Sequence, residues 1–356
     1  MLAAFNQFVP DIGDASTLAP TAAVVGRTVA GAGLTVRSLA TLRGDGEWVR
    51  VGRNAFFGER ATVHIAHEAL AATIGDDVTV GRFGLVHACT LADGVVVAVA
   101  ATVMDGATIG PNALIAPGAL VSPRKQLAGG FVYAGQPAAP VREITRAELA
   151  EMARAIRSAS ANDALEPQDL PPLDMAPFLS DEAVRRSQGA SPQVGRGFVA
   201  PNAVLVGDVR IGTDAGIYYG CVLAAGGARI VVGDRSNVQD NSLIVTDAAR
   251  GDVVIGCDVT IGHNVRMGAG TFGDRALIGM ASVVGDGVVV EPGGCIAAGS
   301  HVKPGTRVRS GWIWAGRPAR AFREVNERER AMFASAAEIY IAYGAAYRDT
   351  AQPATR

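Results

Sequence analysis

Residues 74–85 read Ile-Gly-Asp-Asp-Val-Thr-Val-Gly-Arg-Phe-Gly-Leu, so Ile74 and Val80 stand six positions apart and each precedes a glycine. The same unit recurs as Ile109-Gly-Pro-Asn-Ala-Leu, Ile261-Gly-His-Asn-Val-Arg and Ile278-Gly-Met-Ala-Ser-Val. In hexapeptide repeats each unit forms one short side of a triangular coil, and the aliphatic residues stack inside it. Glycine follows because the corner between two sides needs backbone angles that other residues resist. The pattern predicts a mainly β protein, a parallel β-helix with about eighteen residues per coil.

The hexapeptides occur in two copies that are offset by 181 residues. Matching residues recur at that offset without a gap: Gly52 and Gly233, Gly81 and Gly262, Asp105 and Asp286, Pro137 and Pro318, and Arg142 and Arg323. We therefore predict a tandem duplication, with a first domain over residues 10–160 and a second over residues 191–350. The β-helices themselves are expected over residues 10–145 and 192–322, and residues 161–190, rich in Pro, Asp and Ser, are expected to form a linker.

Each copy is predicted to end in an α-helix. Thr145 and Glu148 have the spacing of a capping box, so the first helix is expected to begin there and to reach about Ser160. The second is expected from about Glu324 to Arg348. Its large apolar residues recur at helical spacing and are expected to pack on a β-helix face: Phe333, Ile339, Tyr340, Tyr343 and Tyr347.

Charge and composition exclude several classes of function. A formal net charge of −2 argues against nucleic acid or an anionic membrane as the main partner. No apolar run approaches the ~18 residues of a membrane span. The stretch from Met1 to Pro20 has no basic segment of the kind that begins a signal peptide. The four cysteines show no CxxC spacing. A cytoplasmic protein that acts on a small molecule is expected.

Longer motifs in both copies resemble one family. The first copy contains Leu42-Arg-Gly-Asp45, Val78-Thr-Val-Gly-Arg82-Phe-Gly-Leu-Val-His87-Ala-Cys89 and Gly135-Gln-Pro-Ala-Ala-Pro-Val-Arg142. The second contains Asn237-Val-Gln-Asp240, Val259-Thr-Ile-Gly-His263 and Gly316-Arg-Pro-Ala-Arg-Ala-Phe-Arg323. These segments resemble the gamma-class carbonic anhydrases, a family of left-handed β-helices that assemble as trimers. The resemblance implies two tandem left-handed β-helices, each followed by an α-helix, and self-association into trimer-like rings in which unlike domains meet.

The resemblance also implies a metal site that the two copies divide between them. In the family three histidines bind one zinc ion, and the middle one reaches across from a neighbouring subunit. The first copy has His64 and His87 at the first and third ligand positions and Arg82 at the middle one. The second copy has only the middle ligand, His263. A composite site of His64, His87 and His263 is therefore expected, formed within one chain or between chains; the alternative is that these histidines are relics of lost sites.

Three neutral imidazoles with an open fourth position form the ligand set of a catalytic zinc site. Such a site lowers the pKa of water to about 7 and generates a nucleophile at neutral pH. We therefore expect Zn²⁺, with Fe²⁺ or Co²⁺ as alternatives, and a lyase of the carbonic anhydrase type. Three alternatives stay open: the same metal acting on a larger organic substrate, a hexapeptide-repeat acyltransferase, and a non-catalytic assembly protein.

Four other residues are candidates for catalytic roles. Arg43 and Asp45 match the family's Arg-Gly-Asp, which favours an ion pair at an interface, and Arg43 is a candidate partner for Asp240 of an unlike domain. Glu59 stands at the family's Asp position and is a candidate acid or base. His67 follows His64 by three positions and is interpreted as a proton relay or as a surface histidine.

Two positions of the first copy depart from the family. The resemblance places a polar Asn and a Gln beside the metal, and the Gln orients its water. The first copy has Phe56 and Gly58 there. A wider, more apolar pocket wall is expected from this change, which casts doubt on carbon dioxide hydration.

Overall fold

A computed structural model describes residues 1–158 and 192–351. The chain divides into two compact units, Met1–Leu170 and Pro171–Arg356. The linker expected at residues 161–190 and the expected end of the first helix at Ser160 lie outside the described residues.

Within residues 1–158 the first unit contains twenty strands and one helix. In chain order its strands are β1 (Leu2–Ala3), β2 (Asp11–Ile12), β3 (Thr17–Leu18), β4 (Ala23–Ala30), β5 (Thr35–Val36), β6 (Thr41–Val51), β7 (Phe56–Phe57), β8 (Thr62–His64), β9 (Ala72–Ile74), β10 (Thr79–Val80), β11 (Leu85–His87), β12 (Thr90–Leu91), β13 (Val96–Val97), β14 (Thr102–Val103), β15 (Thr108–Ile109), β16 (Leu114–Ile115), β17 (Leu120–Val121), β18 (Gln126–Leu127), β19 (Phe131–Ala134) and β20 (Ala139–Glu143).

These strands stack as the coils of a left-handed parallel β-helix, as the six-residue period predicts. They form a 12-stranded and an 8-stranded sheet, and each strand pairs in parallel with strands of the coils before and after it. Leu91, for example, lies between Ile74 and Ile109, and all three are buried in one stacked core. The antiparallel pair β19 and β20 ends the stack. Pairing begins with Leu2–Ala3 on β4, earlier than the expected residue 10.

Helix α1 (Arg146–Arg157) follows the first β-helix, and its predicted capping box is confirmed. The Thr145 hydroxyl accepts a hydrogen bond from the Glu148 backbone N–H, and the Glu148 carboxylate accepts one from the Thr145 N–H. Leu149 and Ile156 are buried on the side of the helix that faces β13 and β16.

The second unit repeats this architecture. Its strands are β21 (Gln193–Val194), β22 (Phe198–Val199), β23 (Val204–Ile211), β24 (Gly216–Ile217), β25 (Val222–Val232), β26 (Asn237–Val238), β27 (Leu243–Asp247), β28 (Val253–Ile255), β29 (Thr260–Ile261), β30 (Arg266–Met267), β31 (Gly270–Phe272), β32 (Leu277–Ile278), β33 (Val283–Val284), β34 (Val288–Val290), β35 (Cys295–Ile296), β36 (His301–Val302), β37 (Arg307–Val308), β38 (Trp312–Gly316) and β39 (Ala319–Glu324). They form an 11-stranded and an 8-stranded sheet of parallel coils, ended by the antiparallel pair β38 and β39.

Helix α2 (Glu327–Ala351) packs along the β-helix face that carries β22, β24, β26 and β29. Its tyrosines lie on that face, as predicted: the ring of Tyr347 stacks on Phe198 at 4.9 Å, and the Tyr218 hydroxyl donates to the Tyr340 carbonyl at 2.6 Å. Among the described helices, none combines the length and apolar character that a membrane span requires.

Candidate metal centre

His64 and His87 lie side by side at the ends of β8 and β11. The parallel register of these strands places the two residues opposite each other. They are 23 positions apart in the chain, because a loop closed by the bridge between Ala66 and Leu70 enlarges this coil. His64 Nδ1 and His87 Nε2 face each other at 3.3 Å, and both side chains are buried. The first unit therefore holds two imidazoles at adjacent positions of one sheet.

Each of these imidazoles has a carboxylate at its other nitrogen. His64 Nε2 lies 3.0 Å from Asp45 Oδ1, and His87 Nδ1 lies 2.5 Å from Asp105 Oδ1. A carboxylate accepts, so in these pairs the ring nitrogen beside it carries the proton. The two nitrogens that face each other, His64 Nδ1 and His87 Nε2, are then both acceptors.

Two lone pairs 3.3 Å apart repel unless a cation lies between them. Two imidazoles on one tetrahedral zinc, with bonds of ~2.0–2.1 Å, place their nitrogens about 3.3 Å apart. The residues present therefore fit a metal ion of this kind, with two ligands supplied by the first unit.

Arg43 and Asp45 act together beside His64. The Arg43 guanidinium donates to Asp45 Oδ2, and both side chains are fully buried. The other oxygen of Asp45 is the one that lies beside His64, so the ion pair holds that carboxylate in place. Arg43 and Asp45 are thus positioning residues, and the expected pairing of Arg43 with Asp240 stays a prediction.

Asp105 is a functional candidate that sequence reasoning missed. Its position was recognised only as one of the matches between the two copies, with Asp286 as its counterpart. The available signal was its distance of 18 residues from His87, which is one coil.

Glu59 and His67 are more exposed than His64 and His87. Glu59 is partly buried and His67 is exposed in the loop after β8. The guanidinium of Arg82, at the position of the missing ligand, lies near the Phe83 ring, 5.9 Å from its centroid. Among described residues, His301 lies on β36 near the end of the second β-helix.

The second unit places His263 in a buried polar cluster. His263 Nδ1 lies 3.2 Å from Asp240 Oδ2, and both side chains are fully buried. Gln239 Nε2 donates to Asn237 Oδ1 at 3.1 Å, and Asn237 Nδ2 donates to Thr260 Oγ1 at 3.0 Å. One ring nitrogen of His263, Nδ1, lies at ion-pair distance from this carboxylate, and the other, Nε2, faces the hydroxyl of Tyr340.

Tyr340 of α2 contacts the Nε2 atom of His263. Its hydroxyl lies 3.2 Å from His263 Nε2, and the side chain is buried. The sequence indicated a packing role for this tyrosine and missed the contact, because helical spacing does not show which hydroxyl reaches a β-helix corner.

Phe56 and Gly58 have a different role from the one expected. Phe56 packs with Leu149 and Ile156 beneath α1, and a Cβ at Gly58 would lie 2.8 Å from the Arg82 nitrogen. Neither residue widens a pocket beside His64. The reason lies in the strand register. Phe56 pairs with Thr79, on the strand that leads to Arg82. In the same way, Asn237 pairs with Thr260, on the strand that leads to His263. The Asn and Gln of the family motif therefore accompany the middle ligand, and the second unit retains them.

The second unit has no room for its own copy of the histidine pair. Val245 and Gly268 stand at those two columns. A Cβ at Gly268 would collide with the carboxylate of Asp286 and the guanidinium of Arg250, which bond to each other at 2.8 Å. An arginine thus occupies, beside Asp286, the place that His87 has beside Asp105.

Cys89 follows His87 closely and is fully buried. Burial raises the pKa of its thiol well above the usual range, and the charge of Asp105 raises it further. A thiolate is therefore disfavoured there, and the histidines are the candidate ligands.

No family model matches the chain. Gamma carbonic anhydrase 3, mitochondrial, of Arabidopsis thaliana is 46% identical over 156 residues, which cover 42% of this chain and 60% of that protein. Gamma carbonic anhydrase 2, mitochondrial, of the same plant is 41% identical over 146 residues, 40% of this chain and 52% of that protein. The chain thus spans little more than half the length of these two relatives. Protein YrdA of Escherichia coli strain K12 is 33% identical over 156 residues, 42% of this chain and 85% of YrdA.

Among solved structures, a hexapeptide transferase family protein from Anaplasma phagocytophilum shares 45% identity, with 45% of this chain and 94% of that chain covered at a TM-score of 0.43. The relatives match less than half of this chain, while the β-helix and its capped helix occur twice in it. The chain belongs to the gamma carbonic anhydrase-like family of left-handed β-helix proteins, as a member with a tandem duplication.

Proposed function

We propose that the chain is a zinc-dependent hydratase of the carbonic anhydrase type, with His64, His87 and His263 as the ligands of one composite site. The observation that carries this proposal is shared by all three residues: a carboxylate oxygen lies within 3.2 Å of one ring nitrogen and orients the ring. These carboxylates are Asp45, Asp105 and Asp240. Outer carboxylates of this kind fix the orientation and raise the basicity of ligating histidines.

When bound, zinc supplies the Lewis acidity that makes water a nucleophile near neutral pH. The protein's own groups orient the reactants. Gln239 donates its amide N–H to Asn237, so its Oε1 is the acceptor available to hold the attacking water. Asn237 is itself held by Thr260, which keeps this amide pair from rotating. The Tyr340 hydroxyl lies 3.2 Å from His263 Nε2 and helps to orient that ring.

Metal content is the first test. We expect about one zinc per chain in the purified protein and hydration of carbon dioxide in a stopped-flow indicator assay. Replacement of His64, His87 or His263 by Ala should remove most of the metal and the activity. His301→Ala is the matched control and should change neither. Wild-type protein without metal, or full activity in all three ligand variants, would contradict the proposal; iron or cobalt in place of zinc would revise only the identity of the metal.

A mixing experiment locates the site. His64→Ala and His263→Ala are each inactive under the proposal, but they lack ligands from different units. If the ligands come from two chains, refolding the two variants together restores part of the activity. If they come from one chain, the mixture stays inactive.

We further propose that the chain self-associates into trimer-like rings in which unlike units meet, and that it acts in the cytoplasm with a small-molecule substrate. The division of ligands between the two copies supports this, since neither copy contains a complete set. Light scattering tests it, and a monodisperse monomer would contradict it. The proposed domains, residues 10–160 and 191–350, predict that limited proteolysis cuts within residues 161–190 first.

A further inference from the structure

A cavity of about 720 Å³ lies between α2 and the β-helix of the second unit. Trp312, Phe333 and Leu277 form its apolar wall. A Cβ at Gly293 would meet no atom within 4 Å, so the floor is open at that corner. Ligand pockets typically measure about 300–1,000 Å³, a range that includes this space, and charged side chains line it together with the apolar wall.

The first unit fills the same place with its own helix. There Leu149, Met152 and Ile156 pack on Val96 and Leu114 beneath α1. The columns of Leu149 and Ile156 hold Arg330 and Ala337 in the second unit. The cavity therefore results from changes to particular side chains.

Helix α2 is held firmly beside this space. Arg235 donates to Glu338 of the helix at 2.5 Å and to Asp258 of the β-helix at 2.7 Å. Arg323 donates to Glu329 at 2.6 Å near the start of the helix. Two ion pairs thus connect α2 to the β-helix of the second unit.

The charges of the cavity leave two guanidiniums available. Arg235 already pairs with Asp258 and Glu338. Neither Arg275 nor Arg330 pairs with a carboxylate among residues 1–158 and 192–351; Arg330 Nη2 donates only to the Val325 carbonyl, at 2.9 Å. A further cation, Arg309, lies 4.6 Å from the centre of the Trp312 ring. Glu324 is the one remaining acidic residue of the lining.

Arg275 stands at a position that the first unit gives to glycine. Its φ is +59°, and that of its counterpart Gly94 is +67°. Residues with a Cβ adopt this left-handed conformation at a cost that glycine does not bear. Arg275 therefore brings a guanidinium to a corner of the cavity where the first unit has no side chain.

We propose that this cavity binds an organic anion with a flat apolar body, which lies against Trp312 and Phe333 while Arg275 and Arg330 bind its acidic group. Guanidiniums pair with carboxylates and phosphates through two parallel hydrogen bonds, and an aromatic wall favours a planar body. The proposal is independent of the metal site, since no ligand histidine lines the cavity.

Benzoate is the probe, and benzyl alcohol and acetate are its matched controls without the charge and without the ring. Binding is measured by titration calorimetry and by quenching of tryptophan fluorescence. We expect saturable binding of benzoate in the millimolar range or tighter, and at least tenfold weaker binding of both controls. Equal binding of benzyl alcohol, or no saturable binding of benzoate, would overturn the proposal.

The first unit supplies the variants. Arg330→Leu combined with Ala337→Ile introduces the residues that fill this place under α1, and it should abolish benzoate binding. Arg275→Gly introduces the residue of the first unit and should weaken binding at least tenfold, with a midpoint of thermal unfolding that is unchanged or higher. Arg328→Ala, on the exposed side of α2, should bind as the wild type does. Undiminished binding in Arg275→Gly would overturn the proposal, even if the double variant failed to fold.

Discussion

The two units share a fold and differ in what occupies the same corner of it. In the first, His87 lies beside Asp105; in the second, Arg250 lies beside the matching Asp286, and Gly268 leaves it the room. The carboxylate is common to both, so the change from an imidazole to a guanidinium converts a candidate ligand site into an ion pair. The same carboxylate can therefore orient an imidazole in one unit and pair with a guanidinium in the other.

The two units differ in the opposite sense at the column of His263 and Arg82, where the second unit has the histidine. His263 lies with Asp240 and Gln239 in the second unit, while Arg82, Glu59 and Gly58 stand at those columns in the first. Each unit thus retains one complete cluster and has lost the other. Random loss would rarely divide two clusters so cleanly, and this is why we prefer a shared site to a pair of relics.

The two helices give a third comparison. Both have the same kind of capping box at their N-terminus, but they pack differently on their β-helices. Both helices begin with a capping box, Thr145 with Glu148 and Asn326 with Glu329. Beyond the cap, α1 buries Leu149 and α2 exposes Arg330 at the same column.

The largest expected effect tests that third comparison. Leu149→Ala should lower the free energy of unfolding of the first unit by about 2–5 kcal/mol, since it removes a buried side chain and leaves a cavity. Arg330→Ala in the second unit should cost less than about 0.5 kcal/mol, because its side chain is exposed. Denaturant unfolding of each variant measures both. Equal costs at the two columns would mean that α1 and α2 pack alike.

The second prediction concerns the shared carboxylate. Asp105→Asn should weaken metal binding by about 10–100-fold, because it removes the acceptor that holds His87 in its ligating form. Asp286→Asn should leave metal binding unchanged, since its partner is Arg250. Competition with a chelator measures the affinities. A loss of affinity in Asp286→Asn would show that the second unit contributes a metal site of its own.

The sequence was sufficient for the fold because the six-residue period and the matches between the two copies each recur many times. The capping box of α1 could also be read locally, since Thr145 and Glu148 lie within one turn. The surroundings of the ligands could not be read in this way. Which column faces which depends on coil length, and the coil from His64 to His87 has 23 residues instead of 18. The strand register, which the sequence does not show, places Phe56 at the column that leads to Arg82.

The third prediction tests whether Asn237 and Gln239 of the second unit are the polar pair beside the metal site. Under the proposed function Gln239 orients water and is not a ligand, so Gln239→Ala should lower kcat for hydration about tenfold, near 1.4 kcal/mol, and leave metal content unchanged. Phe56→Asn, which gives the first unit the family's residue, should not raise kcat, since Phe56 packs beneath α1. Steady-state kinetics with metal analysis decides it. A gain in Phe56→Asn would return the polar pair to the first unit.

The smallest expected effect compares the two helix caps as a function of pH. Hydrogen bonding to Arg323 is the main cause that lowers the pKa of Glu329 from its ordinary value of 4.5 to about 2, whereas the pKa of Glu148 is lowered mainly by the hydrogen bond from the Thr145 backbone N–H. A carboxyl whose pKa is lower in the folded state stabilises the fold above its unfolded pKa, and this contribution is lost as the pH falls. For Glu329 the loss should therefore run from about pH 4.5 down to pH 2.

Arg323→Ala should remove most of that pH dependence, at most about 1 kcal/mol because the pair is partly solvent-exposed. Arg142→Ala, the matched change in the first unit, should alter it far less, since the cap hydrogen bonds of Glu148 remain. Thermal unfolding between pH 2 and pH 6 measures both variants, and a larger change in Arg142→Ala than in Arg323→Ala would contradict the assigned causes.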